Sequence, residues 1–123
     1  MTTSSVNLIV LRVRDLEESL RFYRALGLTF VQEQHGSGPV HYACELDSMV
    51  VELYPGEPGA ALERKMAGAT MLGFQVDSLD SIIETLEQLG VKVITKPQTG
   101  AWGRRMVVED PDGRAIDLSQ PLP

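Results

Sequence analysis

One cysteine, Cys44, is all that the chain offers. This excludes an intrachain disulfide, and its apolar-leaning surroundings from Val40 to Leu46 mark a small buried hydrophobe rather than a nucleophilic thiol. Positive charge is scarce: 11 Lys and Arg against 17 Asp and Glu leave a formal net charge of -6. Such a surface repels phosphate backbones, so nucleic acid is not an expected partner. Long apolar runs are missing too. The first five residues lack the basic stretch of a signal peptide, and Arg12 and Arg14 interrupt the apolar segment that follows. A membrane span is excluded there, and a cytoplasmic protein is expected. With 43% hydrophobic and 23% charged residues, no part reads as low-complexity or disordered.

What is present fits one compact domain, or two half-size modules sharing a core, within 123 residues. Val6 to Val13 reads as a strand. Asp15 is placed to cap a helix from Leu16 to Leu26, with Glu18 three residues on and Gly27 as terminator. Strands follow at Thr29 to Gln34, Val40 to Leu46 and Met49 to Tyr54, the last two joined by the turn Asp47-Ser48. Pro55, Gly56, Pro58 and Gly59 form a joint. Beyond it the pattern returns: strand Ala69 to Val76, helix Leu79 to Leu89, Gly90, then strands Val91 to Thr95, Arg105 to Glu109 and Arg114 to Ser119. A shift of 63 carries Val13 onto Val76, Leu16 onto Leu79, Leu26 onto Leu89, Gly27 onto Gly90 and Asp47 onto Asp110. This implies duplicated modules over residues 6–54 and 68–120, with a linker at 55–67.

Side chains alternate across a strand, which sorts the residues into two faces. One is wholly apolar: Ile9, Leu11, Val13, Val51, Leu53, Leu72, Phe74, Val76, Ile116 and Leu118. It should pack on the helices. The other mixes Leu8, Val10, Arg12, Val50, Glu52, Tyr54, Met71, Gly73, Gln75, Ala115, Asp117 and Ser119. A blend of aliphatic, aromatic and charged groups suits the lining of a cleft, or a partly exposed face with ordinary ion pairs.

The run Val13-Arg14-Asp15-Leu16-Glu17-Glu18-Ser19 with Phe22-Tyr23 and Leu26-Gly27-Leu28 resembles the opening signature of the vicinal-oxygen-chelate superfamily of glyoxalase, bleomycin-resistance and extradiol dioxygenase proteins. Val51-Glu52-Leu53-Tyr54 resembles its fourth strand. Trp102-Gly103 and Glu109-Asp110-Pro111-Asp112-Gly113, leading into Ile116-Asp117-Leu118, resemble its closing signature. The resemblance implies an α+β fold: two βαβββ modules forming a curved mixed sheet around a cleft, helices outside. It also implies modules paired within or across subunits, hence a homodimer.

Metal-using members place ligands at positions that fall here on Leu8, Glu52, Met71 and Asp117. Leu8 has no donor, and the Met71 thioether is too soft for hard divalent ions beside carboxylates. No metal or other cofactor is therefore expected at that position. A displaced site using His41, Glu52 and Asp117 is the alternative, while His35, beside Gly36-Ser37-Gly38, reads as a solvated loop residue. Glu52 and Asp117 are the candidate catalytic residues, through acid or base chemistry in a shared apolar cleft. Arg12 pairing with Glu52 would oppose that. Candidate ligand-binding residues are Leu8, Arg12, Tyr42, Tyr54, Met71, Gln75, Trp102, Arg104 and Asp117, with only one of the neighbours Arg104 and Arg105 able to face inward. Asp110-Pro111-Asp112-Gly113 is turn chemistry. The functional expectation is a metal-free, resistance-like protein binding a small organic molecule. The alternative is a lyase, isomerase or dioxygenase-like enzyme using Glu52 and Asp117, and a third reading is a ligand-independent dimer.

Overall fold

The computed structural model describes residues 5–58, 70–101 and 103–123. The first module runs β1 (Leu8–Val13), α1 (Leu16–Ala25), β2 (Val31–Glu33), β3 (His41–Leu46) and β4 (Met49–Pro55). Asp15 starts the helix as expected: its carboxylate accepts from the Glu18 backbone N–H at 3.1 Å, satisfying one of the donors a first turn leaves open. Gly27 ends it with φ +102°, a left-handed conformation that a side chain would disfavour.

The second module repeats the order with β5 (Leu72–Gln75), α2 (Leu79–Gln88), β6 (Val93–Gly100), β7 (Gly103–Glu109) and β8 (Ala115–Gln120). Ser78 caps α2, and Gly90 closes it at φ +71°. Each module forms a four-stranded sheet of the same topology, β1-β4-β3-β2 and β5-β8-β7-β6, whose first pair is parallel and whose others are antiparallel. The fold is α+β with two βαβββ modules. Val10 lies opposite Glu52, and Gly73 opposite Asp117. Glu52 and Asp117 thus hold equivalent places, the offset growing from 63 to 65 between the paired strands.

The strands differ from the expectations at their ends. β2 covers three residues, and β5 begins at Leu72, so Met71 stands before it. β6 runs on through Pro97 to Gly100, past the Thr95 at which the strand is expected to end. β6 is an edge strand with register shifts between Val93 and Thr95 and between Thr95 and Gln98. Such irregular edges tolerate a proline that a central strand would reject. Residues 59–67 of the linker and Ala69 of the expected fifth strand lie outside the described residues.

The apolar face packs as its pattern requires. Leu11, Val13, Val51, Leu53, Val76, Ile116 and Leu118 are buried in one cluster with Leu20, Phe22 and Tyr23 of α1 and Leu79, Ile82 and Leu86 of α2. Ile9, Leu72 and Phe74 pack against it while partly buried. Burial of this kind contributes about 25 cal/mol per Å² of apolar area. Cys44 belongs to the same cluster, and burial pushes its thiol up, consistent with a structural role.

Polar contacts also cross from one module to the other. The Tyr23 hydroxyl, on α1, donates to Asp110 Oδ2 at 2.6 Å in the turn between β7 and β8. Asp110 Oδ1 accepts from the backbone N–H groups of Asp112 and Arg114, each at 2.9 Å, and Arg114 Nη1 reaches Oδ2 at 3.0 Å. Arg114 Nη2 donates to the Arg12 carbonyl at 2.6 Å, and the Arg14 N–H to Asp112 Oδ1 at 3.2 Å. The turn chemistry read from Asp110-Pro111-Asp112-Gly113 therefore holds, with an inter-module clamp added.

Burial, then the Asp110 charge and hydrogen bond, push the Tyr23 pKa well above the ordinary 10.0. The folded chain favours the neutral phenol, so this contribution is complete below pH 10.0 and is lost as pH rises through the folded pKa. Tyr23→Phe should cost about 1.5–3 kcal/mol in urea unfolding at neutral pH, the range for a hydrogen bond to a charged group. The gap between wild type and variant should narrow as pH rises beyond the ordinary tyrosine range; a constant gap would show that the phenol proton is not what matters.

Candidate functional site

The register of the first sheet decides which side chains share its mixed face. Leu8 sits opposite Val50, Val10 opposite Glu52 and Arg12 opposite Tyr54. Across β3 and β2, Ala43 meets Glu52, Glu45 meets Val50, Glu33 meets His41 and Val31 meets Ala43. Alternation then places His41, Ala43 and Glu45 of β3 and Val31 and Glu33 of β2 beside the β1 and β4 residues sorted onto this face from sequence.

Part of this face, without Val10, Arg12, His41 or Tyr54, lines a cavity of about 650 Å³. Its walls are Leu8, Val31, Ala43 and Val50 with Asn7 and Thr29, and three carboxylates, Glu33, Glu45 and Glu52, look into it. Among the described residues no Lys or Arg lines it, and each lining residue belongs to the first module. A smaller cavity of about 290 Å³ lies elsewhere, lined by α1 residues, Leu89 to Lys92 and Glu109 to Pro111.

At one end of the carboxylate-bearing face stands His41, 1% exposed. Its Nε2 lies 3.3 Å from Glu33 Oε1, 3.5 Å from Glu52 Oε2 and 3.3 Å from the Tyr54 hydroxyl. Its Nδ1 lies 3.2 Å from the Pro39 carbonyl. The ring stacks on Tyr54 with centroids 4.1 Å apart and planes at 9°. The Arg12 guanidinium covers the same Tyr54 ring at 4.8 Å, a cation–π arrangement.

The other candidates divide between placements. Arg12 and Tyr54 flank the His41 end, and Leu8 reaches the cavity at 48% exposure. Tyr42 is on the opposite face: it packs against the core and its hydroxyl donates to Gln32 Oε1 at 3.2 Å. The expected contact of Arg12 with Glu52 gives way to stacking on Tyr54, and Glu52 faces His41 instead. In the second module Asp117 is bound by Arg105, whose Nη2 lies 2.7 Å and Nε 3.0 Å from Oδ1. Arg104 turns the other way, to Asp80 of α2 at 3.0 Å. Gln75 is exposed, and Met71 is 53% exposed. Trp102 lies outside the described residues.

Of the residues expected to bound a cleft between the modules, Leu8 lines this first-module cavity, while Arg12, Tyr54, Gln75 and Asp117 are outside its lining. Sequence reasoning passed over Glu33 and Glu45 and set His41 aside. The available signal was that Glu33, His41 and Glu45 fall on alternate positions of adjacent strands, but which face they join depends on pairing register.

The Glyoxalase/Bleomycin resistance protein/Dioxygenase superfamily model matches residues 5–118. The chain belongs to this superfamily. It is 31% identical over 127 residues to the uncharacterized protein YwkD of Bacillus subtilis, covering 96% of this chain and 98% of that one. A Mycolicibacterium smegmatis protein is 29% identical over 122 residues, covering 99% and 98%. Among solved structures, TnmS3, an antibiotic binding protein from Streptomyces sp. CB03234, superposes with a TM-score of 0.69 at 27% identity, covering 99% of both chains.

The superfamily's metal position does not fit the residues that occupy it here. Leu8 is aliphatic, Met71 stands before its strand, and the Asp117 carboxylate already faces the Arg105 cation. A hard divalent ion would find Glu52 as its main anionic donor. Mn²⁺ titration followed by electron paramagnetic resonance should give the same curve for wild type and Asp117→Asn. An affinity that falls tenfold or more in the variant would restore the family site.

Proposed function

We propose that the chain is a resistance-like binding protein that holds a small, partly apolar organic cation in the first-module cavity, without a metal at the superfamily position. The observation that carries this is the cavity's composition among the described residues: aliphatic walls, three carboxylates and no basic side chain. Its volume of about 650 Å³ lies within the roughly 300–1,000 Å³ usual for small-molecule sites. Apolar walls enclose a ligand's hydrocarbon while the carboxylates select its charge, and they disfavour an anion by the same Coulomb term. The antibiotic-binding relative supports a binding role. Catalysis by Glu52 and Asp117 as partners is less well supported, because Asp117 is engaged by Arg105 and Glu52 by His41.

Isothermal titration with a panel of flat cationic, neutral and anionic compounds tests the proposal. Cations should bind, more weakly as salt rises, and Glu52→Gln should weaken them roughly five- to tenfold, matching about 1–1.4 kcal/mol for one partly solvated charge. Preference for the anions, or no binding by any compound, would defeat it.

The same face supports a homodimer. Leu8, Val10 and Val31 are exposed at 48%, 40% and 62% along it, and the cavity is walled by one module only. Two copies meeting there would cover this apolar surface and protect the exposed edges β1 and β2. Sedimentation at tens of micromolar should give a dimer that Val31→Asp weakens; a wild-type monomer at that concentration would refute the assembly.

A further inference from the structure

We propose that Glu33, His35 and His41 form a zinc-binding site, with Glu52 as a fourth donor, at the β2–β3 end of the cavity. It uses none of the superfamily's positions except Glu52 and goes beyond the organic-ligand reading. The donors come together through strand geometry. Glu33 and His41 are cross-strand partners, which puts their side chains on one face. The chain leaves β2 through the turn Gly36-Ser37-Gly38, where the Gly38 N–H donates to the His35 carbonyl at 2.9 Å and Gln34 Nε2 to the Gly38 carbonyl at 2.9 Å. That closed turn returns the His35 ring to within 5.1 Å of the His41 ring.

One ligand atom from each of Glu33, His35 and His41 lies within 4.8 Å of the others. Zinc holds nitrogen and oxygen donors at about 2.0–2.2 Å in a tetrahedron, so neighbouring donors stand about 3.3–3.6 Å apart. The separation of His41 Nε2 from Glu33 Oε1 is 3.3 Å and from Glu52 Oε2 is 3.5 Å, both at tetrahedral spacing. His35 Nε2 is 4.0 Å from Glu33 Oε1 and its ligand atom is within 4.8 Å of that of His41, so the ring must swing inward by up to about 1 Å to reach tetrahedral spacing, which its 76% exposed side chain has room to do.

The hydrogen bonding of His41 points to the same ion. A neutral imidazole carries one N–H and one lone pair. The Pro39 carbonyl at 3.2 Å from Nδ1 calls for the N–H there, an outer-shell contact typical of ligating histidines. The Nε2 lone pair then faces two carboxylate oxygens and the Tyr54 hydroxyl at 3.3 Å, and a cation seated there would meet the imidazole nitrogen and both carboxylates together. Zinc meets all these donors at once. It is also the borderline ion that a mixed imidazole and carboxylate set suits, unlike Mg²⁺ or Ca²⁺.

The test is titration of untagged, metal-stripped protein with Zn²⁺ by calorimetry, and with Co²⁺ for its visible spectrum. Wild type should take up one ion per chain, and Co²⁺ should give the intense visible absorption of tetrahedral coordination. His35→Ala and Glu33→Gln alter exposed or half-exposed side chains and should each weaken binding by at least about tenfold, on the scale of lost ligand support. Asp117→Asn should change nothing. Absence of zinc binding, Co²⁺ with only the pale spectrum of an octahedral ion, or affinity unchanged in both His35→Ala and Glu33→Gln would overturn the site. Glu33 and Glu52 also line the cavity, so the two readings are told apart by running the organic-cation titration on metal-stripped protein and by His35→Ala, which lies outside the lining and should alter zinc binding alone.

Discussion

A phenol hydroxyl 2.6 Å from a buried carboxylate holds the two modules in one arrangement. Tyr23 is 0% exposed and Asp110 3%, so neither group can turn to water if the other is displaced. The arrangement works because Asp110 is satisfied from several sides: two backbone N–H groups, the Arg114 guanidinium and the phenol. A buried charge supported in this way is tolerable, whereas removing partners one at a time leaves it costly. Arg114 then carries the constraint to the Arg12 carbonyl at the end of β1. The strand that bears Leu8, Val10 and Arg12 is thereby tied to the opposite module, and the cavity wall inherits that rigidity.

Much of this architecture was legible in the chain because it follows from local pattern. The offset of 63, the helix cap at Asp15, the terminators Gly27 and Gly90 and the apolar face all correspond to observed elements. Each depends on neighbours within a few residues or on simple alternation. What was not legible depends on register. Alternation says that one of Arg104 and Arg105 joins the face of Asp117, but only the β7–β8 pairing, with Val107 opposite Asp117, selects Arg105. Likewise, Tyr42 or His41 joins the face of Glu52. The pairing of Ala43 with Glu52 selects His41 and sends Tyr42 to the core. That register follows from a two-residue turn in which Asp47 takes φ +42°, a conformation which few residues adopt and which composition alone does not reveal.

The duplicated modules have kept one scaffold while their equivalent carboxylates have acquired different surroundings. Glu52 and Asp117 occupy matching registers, yet Glu52 looks onto an imidazole and an open cavity while Asp117 is clasped by a guanidinium. Gly73 stands at the place of Val10, where a Cβ would make only ordinary van der Waals contact with Asp117 Oδ2 at 3.5 Å. In the first module the equivalent third strand also supplies the partner, Ala43 facing Glu52 as Val107 faces Asp117, but the side chain two residues before is the His41 imidazole rather than the Arg105 guanidinium. Charge is consequently neutralised within one sheet and left exposed in the other.

That asymmetry places the unbalanced negative charge of the site on the first sheet. The chain's net charge of -6 would be of little consequence if its acidic groups were spread over a solvated surface, where salt screens them beyond about 8 Å. Glu52, 15% exposed, is instead set among aliphatic walls, where field lines are less screened and a positive ligand gains more than it would at the surface, and the more exposed Glu33 and Glu45 add to the same field. His41 does not offset this field when neutral. Its ring is held between the Pro39 carbonyl and the Tyr54 face, with Arg12 on Tyr54 outside the cavity lining. The Arg12 guanidinium thus lies over an aromatic ring, and the carboxylates keep their attraction for whatever cation the cavity admits.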